Sequence, residues 1–213
     1  AMQSHYAPGS LEVRDLVKPD EGGKAAVLDT GFPEWRMKFS GFGGQGVLSL
    51  GLVIAKAASQ SGRFVSWFPS YGPEQRGGSA SCAVVLSGKE VGSPVIDSPH
   101  VLVAMNQPSW ERFLPTVAEG GVALCDSSVS SDSLPPKDVR VIRFPAKDLA
   151  TDCGVPKAAN TAFLGALQAL GLVNVDEGSL LAALDESFAN KPKLVEMNRK
   201  VYLTAQEWVR QNI

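Results

Sequence analysis

The chain has 213 residues, 44% of them hydrophobic and 20% charged, with a formal net charge of −2. That length supports one α/β domain with a substantial core, and scattered Lys and Arg at near-zero net charge exclude a nucleic-acid surface as the organising feature. No apolar run approaches the roughly 18 residues of a membrane span, the opening AMQSHYAPGS lacks the hydrophobic stretch of a signal peptide, and the expected compartment is cytoplasmic.

Residues 1–35 are rich in Pro and Gly and poor in apolar residues, apart from the patch Leu11 to Val17. They read either as an extended arm lying on the domain or a partner, or as a disordered tail. The domain proper is expected over 36–213. Met37 and Phe39 alternate into a first strand, which stops at a cluster of glycines, Gly41, Gly43, Gly44 and Gly46. An apolar helical run follows, from Val47 to Ala57. Gly41, Gly43 and Gly46 fall on the G-x-G-x-x-G spacing of a dinucleotide turn. Glycine allows positive φ and close approach of a phosphate, and the helix start offers free N–H groups. A turn like this can also serve only to pack the helix tightly on the sheet. The nicotinamide reading further asks for an acidic residue about 20 positions on. The second strand, Phe64 to Phe68, runs into Pro69 with no Asp or Glu, so NAD and FAD are set aside in favour of an anionic group or a partner surface.

Gly62 ends the first helix. Between the second and third strands lies a polar loop, Pro69 to Ser79, containing Tyr71, Glu74, Arg76 and Gly77. Its acid, guanidinium and aromatic ring suit phosphate or carboxylate binding, or form a solvated salt bridge. Ala80 to Leu86 is the third strand, and Val91 to Ile96 is expected to pair with it as a hairpin through SGKE. Val101 to Met105 reads as a buried parallel strand. Asn106 and Gln107 follow at its carboxyl end, a ligand position in open α/β sheets or a plain helix cap, with Ser109 the expected cap of the next helix. Strands at Val122 to Cys125 and Val139 to Phe144 follow, then a helical turn at Lys147 to Cys153. Helices complete the chain, beginning at Asn160, at Leu180 and at Pro192; the last carries Leu194, Met197, Val201, Leu203 and Trp208 as apolar positions.

Three cysteines, Cys82, Cys125 and Cys153, are far apart and form no C-x-x-C. That argues against a disulfide framework, zinc site or iron–sulfur cluster on this chain alone; Cys82 and Cys125 are expected core thiols. The isolated His5 and His100 read as surface or loop residues. No nucleophile–base pair or carboxylate dyad stands out. The fold class expected is α/β, a three-layer Rossmann-like, open, mostly parallel sheet with a β-hairpin insertion and a helical C-terminus.

In order, SGFGGQG, SYGPEQRGGSASC, GSPVIDSP, VLVAMNQPS and NTAFLGAL resemble the gamma subunit of 2-oxoacid:ferredoxin oxidoreductases, over about residues 36–200. The YGPEQRGG and MNQPS pieces look most like the 2-oxoglutarate or generic 2-oxoacid branch, and residues 1–35 fall outside the resemblance. The resemblance implies oxidative decarboxylation of a 2-oxoacid to an acyl-CoA, with electrons leaving to ferredoxin. Thiamine diphosphate with Mg is implied on the alpha and beta partner subunits (or fused domains) and the iron–sulfur clusters on beta or delta, with no cofactor held firmly by this chain. Residues near the shared coenzyme A cleft would be Gly41, Gly43, Gly44, Gln45, Gly46, Tyr71, Glu74, Arg76, Gly77, Asn106, Gln107 and Asn160, none of them catalytic. No nucleic-acid or membrane partner is expected, and the isolated chain could form a homodimer. The competing reading is a stand-alone module that binds a nucleotide or coenzyme A.

Overall fold

The computed structural model describes residues 34–71, 78–130 and 132–213. The proposed arm, apart from its last two residues, therefore lies outside the described residues, as do Glu74, Arg76 and Gly77. Six strands form one sheet in the order β2-β3-β1-β4-β5-β6. They are β1 (Trp35–Phe42), β2 (Phe64–Tyr71), β3 (Ser79–Ser87), β4 (Val101–Ala104), β5 (Val122–Asp126) and β6 (Arg140–Phe144). β1, β4, β5 and β6 run parallel, while β3 lies antiparallel between β1 and β2. β2 is at the sheet edge, which is why Pro69, with no N–H to give, is accommodated inside it.

Alternation sets the two faces. Met37 and Phe39 of β1, and Val101 and Val103 of β4, enter a large core with α1 (Val47–Gln60), α3 (Ala146–Asp152), α4 (Ala159–Ala169), α5 (Glu177–Glu186) and α6 (Pro192–Asn212). Leu102 and Ala104 point the other way, into a smaller core with Trp110 of α2 (Gln107–Phe113), Leu114 and Val117. Coverage on both faces explains the unbroken apolar run of β4. α1 buries Val47, Leu50, Val53, Ile54 and Ala57, the three-and-four spacing of an amphipathic helix. Its chain ends at Ser61 and Gly62, the latter at φ 75°. No described helix is long and apolar enough to cross a membrane.

Several expectations are corrected. Residues 91–96 form no strand. Both edges of β3 are already occupied by β1 and β2, so nothing remained for a third partner; residues 88–100 instead carry the chain across to β4. The hairpin is β2–β3, closed through the polar loop. Ser109 does not cap α2; Asn106 does, its side-chain oxygen accepting from the Ser109 N–H at 2.9 Å. In α6, Leu203 is 53% exposed, and the buried stripe runs through Asn198, Val201, Tyr202, Ala205, Gln206 and Val209. His100 stacks on Trp35 with ring centroids 4.9 Å apart and accepts at Nδ1 from the Arg36 N–H. Burial first, and the Arg36 charge second, lower its pKa, so the ring is neutral; the residue is half-buried in the loop before β4, in line with the loop reading.

Candidate functional site: the carboxyl edge of β1 and β4

β1 is followed by α1 on one face, leading to β2 and β3, and β4 is followed by α2 on the other face. The crossover directions therefore part between β1 and β4, the switch point where open α/β sheets leave a crevice. The glycine turn fills the mouth of that crevice. Gly44 has φ 92° and Gly46 φ 75°, values that a side chain strains. Gly46 caps α1 without side-chain help, and no acidic residue lies in the helix's first turn. A Cβ on Gly46 would stand 2.6 Å from Cγ of Asn160, so α4 is pressed directly against the turn.

Gln45 ties the turn to the sheet. Its Oε1 accepts from the Phe42 N–H at 2.6 Å and its Nε2 donates to the Met105 carbonyl at 3.3 Å. Asn106 Nδ2 donates to the same Oε1 at 3.4 Å. The side chains of Gln45 and Asn106 are thus consumed in fixing the ends of β1 and β4. Gln107 is exposed and bonds Glu111, away from this network.

The two motifs farthest apart in chemistry are brought to one edge. Tyr71 ends β2 opposite Ala80, which pairs with Gly41 of β1, so Tyr71 stands two strand spacings, about 10 Å, from the turn. On the other side of the loop, the Gly78 carbonyl accepts from the Gly43 N–H at 2.9 Å. Both ends of the loop containing Glu74, Arg76 and Gly77 therefore flank the glycine turn, with Tyr71 65% exposed.

Sequence reasoning missed a second set. A crevice of about 180 Å³ beside Gly44 and Gln45 is lined by Met105, Asp126, Lys147, Lys157 and Phe163. Asp126, at the end of β5, has a side chain only 2% exposed. It accepts from the Ser128 hydroxyl and N–H, from the Lys147 N–H at 3.1 Å, and pairs with Lys147 Nζ at 3.2 Å. The carboxylate is thereby satisfied and holds the Lys147 ammonium at the rim. Lys157 is exposed and has no ion-pair partner among the described residues. The arrangement can hold an anionic group: free helix N–H donors, an open glycine turn and two ammonium groups.

Metal chemistry does not fit the described part of the chain. No group of three His, Cys, Asp or Glu among the described residues could hold a metal ion. Burial pushes the Cys82 thiol up to about 12 and the Cys125 thiol up to about 11; both are fully buried, so neither is an available thiolate.

Known proteins share this chain's sequence and fold. The family described as pyruvate ferredoxin/flavodoxin oxidoreductase matches residues 36–208. Ketoisovalerate oxidoreductase subunit VorA of Methanothermobacter thermautotrophicus is 51% identical over 95% of this chain, which covers 41% of that protein. The chain spans less than half the length of these VorA relatives. The Methanothermobacter marburgensis VorA alignment covers 99% of this chain, so it takes in most of residues 1–35, which the family match leaves out. The 2-oxoglutarate synthase subunit KorC of Methanocaldococcus jannaschii is 34% identical over 70% of this chain and 81% of its own. Identity is thus higher with the ketoisovalerate proteins than with the 2-oxoglutarate ones. Among solved structures, a keto/oxoacid ferredoxin oxidoreductase gamma subunit from Geobacter sulfurreducens superposes with TM-score 0.67 at 32% identity, over 83% of this chain and 99% of that one. With the motifs, the sheet and the match across the domain in agreement, the chain belongs to the pyruvate ferredoxin/flavodoxin oxidoreductase family.

Proposed function

We propose that this chain is the gamma-type part of a 2-oxoacid:ferredoxin oxidoreductase acting on a branched 2-oxoacid. The reaction is oxidative decarboxylation: the 2-oxoacid and coenzyme A give an acyl-CoA, carbon dioxide and a proton, and two electrons pass to ferredoxin. The 51% identity to a ketoisovalerate oxidoreductase subunit supports the substrate class. Thiamine diphosphate on a partner subunit supplies the carbanion chemistry of decarboxylation. The role of this chain is to present an anion-receiving edge to that partner. The observation that carries the reading is the convergence at one sheet edge of the glycine turn, both ends of the 72–77 loop, and Lys147 and Lys157. Lys157 and Arg76 would meet the phosphates of coenzyme A, and Gly43 to Gly46 would approach them closely.

The test is a native pull-down of the tagged chain, with the eluate assayed for 2-oxoacid-dependent viologen reduction. Co-elution of thiamine- and cluster-binding partners, with coenzyme A-dependent activity highest on ketoisovalerate, is the expected result. Lys157→Met in that complex should raise KM for coenzyme A several-fold while leaving KM for the 2-oxoacid unchanged. Recovery of the chain alone, inactive and carrying coenzyme A or a nucleotide, would favour the stand-alone binding module instead.

A further inference from the structure

On the opposite face of β1 lies a second pocket, of about 260 Å³. Cross-strand pairing puts Ser40 of β1 beside Ser81 of β3, and Ser81 beside Ser70 of β2. Paired residues share a face, so three serines stand in one row across three strands, with Ser79 one step further along β3. Short side chains in a row leave the volume that larger ones would fill. Lys38, two residues before Ser40, and Arg112 of α2 close the pocket. Lys38 Nζ and Arg112 Cζ each lie 5.0 Å from the centre of the Phe113 ring.

Two cations are thus gathered on one ring, and no carboxylate pairs with either among the described residues. Burial, and the neighbouring Arg112 charge, work to lower the pKa of Lys38. Among the described residues the anion that could offset this, a Cys82 thiolate, does not form at neutral pH because that thiol is pushed up to about 12. Ser40 is occupied, its hydroxyl bonding Ser109 Oγ at 2.9 Å. The hydroxyls of Ser70, Ser79 and Ser81 make no hydrogen bond to any other described residue. Among the described residues the pocket is therefore rich in donors and lined by no carboxylate; Arg112 is exposed, but Lys38 is half-buried, and a half-buried cation without a counter-charge is costly.

We infer that Lys38, Arg112 and the serine row form a site for a phosphoryl group, separate from the glycine-turn crevice and on the other face of the sheet. A phosphate dianion offers only acceptor oxygens, the complement of an ammonium, a guanidinium fork and three hydroxyls. The volume leaves room for a small organic body on that phosphate.

Isothermal titration calorimetry of the full chain with inorganic phosphate and with glycerol 3-phosphate, at constant ionic strength, tests the site. Both should bind, and both should raise Tm by mass action. Lys38→Met keeps the packed stem and should weaken binding at least tenfold; Arg112→Gln should do the same. Ser81→Ala, which leaves the charge balance alone, should weaken it roughly fivefold. Tighter binding of the phosphomonoester than of phosphate would identify an organic ligand, and equal affinity would identify inorganic phosphate. No heat and no Tm shift with either probe would overturn the site. So would affinity unchanged by Lys38→Met and Arg112→Gln, or lost only in Lys157→Met, which would put the anion in the crevice.

Discussion

At the scale of the single residue, the glycine turn separates backbone strain from contact. Gly44 and Gly46 both have positive φ, but a Cβ at Gly44 meets nothing within 4 Å, whereas one at Gly46 meets the Asn160 side chain at 2.6 Å. Gly44→Ala should therefore cost only the left-handed penalty, about 1 kcal/mol. Gly46→Ala should carry that cost plus the displacement of Asn160, about 2 kcal/mol or more. Denaturant unfolding of both variants, with Asn160→Ala alone and combined with Gly46→Ala, checks this. The double variant should recover the contact part but not the φ part, giving a favourable coupling energy. Equal losses in Gly44→Ala and Gly46→Ala would mean that α4 yields freely and that the close contact constrains nothing.

At the scale of the element, two helix starts depend on single side chains. Asn106 caps α2 and also touches Gln45, so Asn106→Ala removes a cap worth about 1–2 kcal/mol and loosens the tie between β4 and the glycine turn. The same variant should increase amide exchange at Ser109 and Phe42; protection retained at both would show that Gln45 holds the turn unaided. The sequence already placed a polar pair after β4 but offered two roles for it. Which role wins depends on the rotation of Asn106 about the strand end, and only the packed Ser109 N–H decides that. Asp176 caps α5 through the Ser179 N–H at 2.8 Å. Bonds from the Ser179 hydroxyl and N–H lower its pKa. A carboxyl depressed in the folded state stabilises above its unfolded pKa and loses that stabilisation as pH falls through the folded pKa. The wild-type Tm should accordingly drop more steeply than that of Asp176→Ala below about pH 4. Parallel curves would assign the acid limb to other carboxylates.

At the scale of the whole molecule, function is organised by a connection that local sequence does not display. The alternation of β1, the apolar run of β4 and the glycine-punctuated α1 were legible because each depends on neighbours within a few residues. The partner of β3 was not, since the edges of β3 are taken by strands on either side of it in the sheet. That one fact moves the hairpin to β2–β3 and brings Gly78, just before β3, against the glycine turn. Lys147, Lys157 and Asp126 were missed for the same reason: they meet only after β5, the start of α3 and the α3–α4 connection converge. The sheet's integrity has its own probe in the cysteines. Cys82 and Cys125 face opposite cores, both fully buried and both with thiols raised by burial, while Cys153 is half-buried beside Thr204. A thiol reagent at pH 8 should modify one equivalent in the native chain, at Cys153. The other two should react only through opening, at a rate that follows the unfolding equilibrium as denaturant is added. Because the two buried thiols report on different faces, their relative rates say whether the sheet parts from its helices on both sides together. If Cys125 reacts well before Cys82, the small α2 layer opens on its own, and the edge carrying Asn106 is the mobile side of the crevice.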